Sequence, residues 1–108
     1  MAYNPDFEKI LEEAKELHNR KNDDYAKTND PYANFRECER FGIPAWKGVL
    51  VRISDKWTRI CNLVKKMDEG KEASNESLED SFRDLCVYFP IILDLYRKWL
   101  VDKEKFKK

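Results

Sequence analysis

Apolar residues recur along this chain at steps of three and four, and strict apolar–polar alternation is absent, so the pattern predicts helices and no strands. Asn4 is placed to cap a first helix with Pro5 at its first position, running to about Arg20. Its apolar face is Phe7, Ile10, Leu11, Ala14, Leu17 and His18. Lys21 to Asp30 is rich in Asn and Asp, has no period, and reads as a loop. Pro31 opens a short helix stopped near Phe41 by Gly42. Pro44 opens a long one to about Met67, whose apolar face is Val49, Leu50, Ile53, Trp57, Ile60, Val64 and Met67. After a polar connection from Asp68 to Ser74, a last helix begins at Ser74 or Asn75. Its stripe is Leu78, Phe82, Leu85, Phe89, Ile92, Leu93 and Tyr96. Pro90 inside that helix removes a backbone hydrogen bond and predicts a kink, and the basic tail over 102–108 is expected to fray.

The architecture expected is therefore all-α: one domain over 1–108, built as a helical bundle of about four helices. Its apolar faces are wide for so short a chain, and Trp46, Trp57 and Trp99 add to them. A homodimer or higher homo-oligomer follows as an expectation.

Charge narrows the partners. Twenty-one basic residues balance 21 acidic ones, which argues against duplex nucleic acid, whose binding by counterion release needs a basic surface. Three cysteines without CxxC spacing read as structural thiols, and no apolar run is long enough for a membrane span. With no signal peptide apparent at the start, a cytoplasmic protein is expected.

Chemistry is suggested at three places. Glu76, Asp80 and Asp84 fall within an arc of about 80° at successive i,i+4 steps. Like charges in such a column repel, so they call for a partner: basic side chains of a facing helix, or a hard divalent cation. On the long helix Arg52, Asp55, Lys56, Arg59 and Asn62 share one polar flank, where a plain Asp55–Arg59 pair with scattered surface charge would also explain them. Lys21, Asp23, Asp24 and Tyr25, followed by Asn34 and Phe35, form a stretch able to hold a phosphate, a ribose edge and a base, or to be merely soluble. His18, the single histidine, lies on an apolar face and reads as a core residue.

Four blocks occur in order: Lys21-Asn22-x-Asp24-Tyr25; Asn34-Phe35; Arg52-x-Ser54-Asp55-Lys56-x-x-Arg59-Ile60-x-Asn62-Leu63; and Glu76-Ser77-x-x-Asp80-x-x-x-Asp84-Leu85-x-x-Tyr88. Over about residues 18–96 they resemble the nucleotide modification associated domain 1 family, common in phage genomes. That family is in turn similar to the MazG-like all-α nucleoside triphosphate pyrophosphatases. The resemblance implies a Mg²⁺-dependent hydrolase that splits a ribo- or deoxyribonucleoside triphosphate into monophosphate and pyrophosphate. Under it Asp55, Glu76, Asp80 and Asp84 hold the metal, and Glu76, Asp80 and Lys56 are the catalytic candidates. Lys21, Asp24, Tyr25, Asn34, Phe35, Arg52, Arg59 and Asn62 contact the nucleotide. The usual ExxE and ExxD pairs of the pyrophosphatases are incomplete here. The alternatives are a nucleotide-binding protein without turnover, acting as a sponge or sensor, and a structural helical module in which the acids pair with Arg52, Lys56 and Arg59.

Overall fold

The computed structural model describes residues 2–25, 30–71 and 75–106, without the side chains of 22–25, 75, 76 and 104–106. Among these residues there are four helices and no strand: α1 (Pro5–Tyr25), a 3₁₀ helix α2 (Ala33–Phe41), α3 (Ala45–Asp68) and α4 (Asn75–Phe106). The all-α bundle expected from the periodicity is the observed fold.

Local chemistry sets the boundaries. The Asn4 carboxamide oxygen accepts from the Phe7 backbone N–H at 3.1 Å, the cap expected before Pro5. Gly42 closes α2 in the left-handed region at φ 77°, where a side chain would be strained, and its N–H donates to Glu39 O at 3.1 Å. Three boundaries differ from the pattern. α1 continues through Lys21 to Tyr25: the helix penalty of Asn and Asp is modest, about 0.5 kcal/mol each, and Lys21 is anchored to Asp84 of α4. α4 runs unbroken past Pro90 and on to Phe106, so the tail is helical at least that far. The segment ending at Phe41 has the tighter 3₁₀ winding.

α3 and α4 run antiparallel: Lys56 meets Asp84 near one end, and Trp46 packs edge-on against Tyr96 and Trp99 near the other. Val49, Ile53, Val87, Ile91 and Leu95 make the core between them, joined by Ala14 of α1 and Tyr32 just before α2. Ser81 is buried at 2% exposure and satisfies its hydroxyl by donating to Ser77 O at 2.9 Å. The inner face of α4 is therefore Ser81, Val87, Ile91 and Leu95, centred about 130° from the stripe read in the sequence, of which Leu85 and Ile92 pack at the core's edge. Phe82, Phe89, Leu93 and Tyr96 of that stripe are exposed.

The 3₁₀ helix α2 is held close to α3 at Gly48. A Cβ there would lie 2.6 Å from Cys38 Sγ. Gly48→Ala should gain up to about 1 kcal/mol in helix propensity and lose about 1–3 kcal/mol to overpacking, for a net loss near 1 kcal/mol. In a Cys38→Ala background the obstacle is gone, so the same substitution should become stabilising. Thermal melts of the four proteins in that cycle check the sign change; a loss of equal size in both backgrounds would refute the contact.

Candidate functional site

Four chain segments converge on one cavity of about 260 Å³, lined by His18 and Lys21 of α1, residues 30, 31 and 33–35, Arg52 of α3, and Asp84, Val87, Tyr88 and Ile91 of α4. Its centre of charge is Asp84. Lys56 Nζ lies 2.9 Å from Asp84 Oδ2 and Lys21 Nζ lies 3.5 Å from Oδ1, so one carboxylate gathers two ammonium groups from two other helices. The Asp84 side chain is 17% exposed and those of Lys56 and Lys21 are 29% and 49%, which puts the cluster at a cavity wall between core and solvent.

Aromatic groups form the adjoining wall. The Arg52 guanidinium lies over the Phe35 ring at 4.7 Å, and Tyr88 meets Phe35 edge-on at 6.3 Å. Arg52 thus presents a charge whose position is fixed by stacking while its N–H groups remain able to donate. Asn34 is exposed at the rim.

A second network holds Tyr32, whose ring meets that of Phe35 edge-on at 6.4 Å. The Tyr32 hydroxyl donates to Asp94 Oδ2 at 2.6 Å, Lys98 Nζ donates to the same oxygen at 3.1 Å, and Lys98 also lies 5.0 Å over the Tyr32 ring. Burial, then the Asp94 bond, pushes the Tyr32 phenol up to about 12, so it remains a donor at any ordinary pH. The bond from Tyr32, then that from Lys98, holds Asp94 below the usual carboxylate range. Its stabilising effect is thus full above an unfolded value near 3.8 and is lost as pH falls through the lower folded value. Asp30 ties the same segment down, accepting from Tyr32 N at 3.0 Å and Arg36 Nε at 2.8 Å.

His18 is half-buried rather than a core residue: it lines the cavity and its ring lies 6.1 Å from that of Tyr32. Desolvation lowers its pKa below 6.5, so the imidazole is neutral at pH 7. Its position one turn before Lys21 could have marked it, since i and i+3 share a helix face. Tyr88, the last residue of the fourth block, is another wall residue given no role in the sequence.

Of the expected site residues, Lys21, Asn34, Phe35, Arg52 and Asp84 meet at the cavity, with Lys56 joined through Asp84. Asp55, Arg59 and Asn62 are exposed on α3 outside its lining. Asp80 is exposed and pairs with Arg83 at 3.3 Å on its own helix. The side chains of Asp24, Tyr25 and Glu76 lie outside the described residues.

No three His, Cys, Asp or Glu side chains gather to hold a metal among the described residues, and Asp84 turns both oxygens to ammonium groups. No described helix is long and apolar enough to cross a membrane. No protein-family model, curated protein or solved structure matches the chain.

Proposed function

We propose that the cavity binds a nucleoside triphosphate by its phosphates and that the chain hydrolyses it to the monophosphate and pyrophosphate. The observation that carries the reading is the convergence of Lys21, Arg52 and the Asp84–Lys56 pair beside the aromatic wall of Phe35 and Tyr88. The resemblance to the nucleotide modification associated domain 1 family, and through it to the all-α pyrophosphatases, supplies the reaction class. At about 260 Å³ the cavity is smaller than the ~300–1,000 Å³ usual for ligand sites, so it takes part of a nucleotide and leaves the rest toward the rim.

In this reading Asp84 keeps two ammonium groups in place where, unrestrained, long lysine side chains would wander. Phosphate oxygens entering the cavity then meet Lys21, Lys56 and Arg52 with their positions already restricted, so that the cations are in place for the charge of the transition state. The same groups would stabilise charge developing on the departing pyrophosphate. Magnesium would enter as the counterion of the triphosphate, as part of the substrate.

A second reading, nucleotide binding without turnover, is favoured by the saturation of Asp84 with lysines, which leaves it ill-suited as a general base. One experiment addresses both. Thermal unfolding would be followed against a panel of ribo- and deoxyribonucleotides, with and without Mg²⁺, with pyrophosphate assayed in the same wells. The expected result is a rise in melting temperature for at least one triphosphate, because a ligand of the folded state must stabilise it, accompanied by pyrophosphate. A rise without pyrophosphate selects the second reading. No rise with any nucleotide rejects both and leaves the Asp84 cluster as an interhelical ion pair.

A further inference from the structure

The surface left on the single chain is larger than a compact protein of its mass presents, and it includes large apolar side chains. Its accessible area is 8708 Å², against about 6,300 Å² expected for a compact 13.0 kDa protein, an excess of roughly 2,400 Å². Its radius of gyration is 16.8 Å, against about 13 Å for a compact domain of this length. Part of the excess has a definite location. Phe82 (49% exposed), Phe89 (53%), Leu93 (47%), Tyr96 (38%) and Leu100 (38%) follow one another on α4 at steps of seven, four, three and four. At 100° per residue they lie within an arc of about 60°, a seam roughly 27 Å long. On α3, Leu50 and Trp57 form a further exposed row, one heptad apart, directly beside the buried Ile53 and Ile60.

We infer that the α4 seam is an interface between two copies of this chain. A second copy is the fitting occupant because heptad-spaced helices interlock with one another, and because the missing burial matches what self-association supplies. Standard interfaces cover about 800 Å² per partner, and obligate homodimers more. The formal net charge is zero, so two copies meet without long-range repulsion. α4 is then apolar on two opposite sides, as befits a helix covered on both. The cavity residue Ile91 lies about 180° from Phe82 on α4, so the pairing leaves the Asp84 cavity open and does not depend on what that cavity binds.

The test is sedimentation of the whole chain over a range of concentrations, beside Phe89→Glu and, as a control off the seam, Val101→Glu. The wild type and Val101→Glu should sediment at twice the 13.0 kDa chain mass, and Phe89→Glu should weaken association by about 100-fold or more through an unpaired charge in an apolar seam. Wild-type melting temperature should also rise with protein concentration. That readout decides the matter if Phe89→Glu fails to fold. A wild type of single-chain mass whose melting ignores concentration would overturn the inference, as would a Phe89→Glu protein that pairs as tightly as the wild type.

Discussion

Asp84→Asn is expected to lower pyrophosphate release by about 100-fold while leaving triphosphate binding as tight as before or several-fold tighter. The two effects have opposite signs because Asp84 plays two parts. It holds Lys21 and Lys56 in place, at 3.5 and 2.9 Å, and a neutral amide holds ammonium groups poorly. Losing one preorganised electrostatic partner in an active site typically costs about 10²–10³ in rate. Yet Asp84 is also a negative charge in the wall of a cavity meant for phosphates. Two unit charges 4 Å apart interact by about 1 kcal/mol in water and about 4 kcal/mol at an effective dielectric near 20, so removing one relieves real repulsion. Measuring kcat alongside nucleotide affinity by calorimetry separates the terms. A binder without turnover would show the tightening alone. Binding that collapses with Asp84→Asn would overturn the assignment of the carboxylate as organiser, and would instead make it a direct ligand of the nucleotide or its metal ion.

Arg52→Ala supplies the contrast. Its guanidinium touches the cavity through the Phe35 ring, and in this reading it meets the phosphates directly. Binding should then weaken, in the range of about 1.5–3 kcal/mol usual for charged hydrogen bonds. The stability of Asp84→Asn itself should fall by about 1–2 kcal/mol. That lies between the near-zero value of surface pairs and the 3–5 kcal/mol of buried ones, since both partners keep some contact with water.

The parts of this protein legible in its sequence are those governed by neighbours in the chain. Asn4 and Pro5 start α1, Gly42 stops α2, and the three-and-four spacing marks each helix. What the spacing could not reveal is which side of α4 turns inward. The outer stripe carries Phe82, Phe89 and Tyr96 and dominates any reading of hydrophobicity, whereas the inner one opens with Ser81. The same limit governed the acids. Asp80 and Asp84 lie within about 40° of each other on a helical wheel, yet Asp84 reaches two lysines and Asp80 a neighbouring arginine. That difference depends on the register of α3 against α4, a tertiary quantity. Each of the four sequence blocks contributes at least one residue to the cavity. Asp55, Arg59 and Asn62 share a block with Arg52 and Lys56 but lie outside the lining, since one helix face cannot turn all its polar residues toward one cavity.

Ile91→Ala is expected to cost about 4–5 kcal/mol, near the upper end for an isoleucine truncation. Ile91 is 3% exposed, and its side chain lines both the Asp84 cavity and a neighbouring one of about 330 Å³ bounded by Leu11, Ala14, Tyr32 and Pro90. Truncation therefore removes part of the wall between two voids that already exist. The surroundings have little freedom to collapse into the gap, because Tyr32 is tied to Asp94 on one side and Val49 is fully buried on the other. A domain of this length has a total stability of about 5–15 kcal/mol, so the loss could remove a third or more of it. At about 4–8 °C per kcal/mol, melting should fall by roughly 15–40 °C. Ile91→Val should cost about 0.5–1.5 kcal/mol, because its smaller deletion keeps most of the wall. Chemical denaturation of the three proteins checks the gradation. If Ile91→Ala loses no more than Ile91→Val, the side chain does not divide the two cavities, and the core must be able to close over its absence.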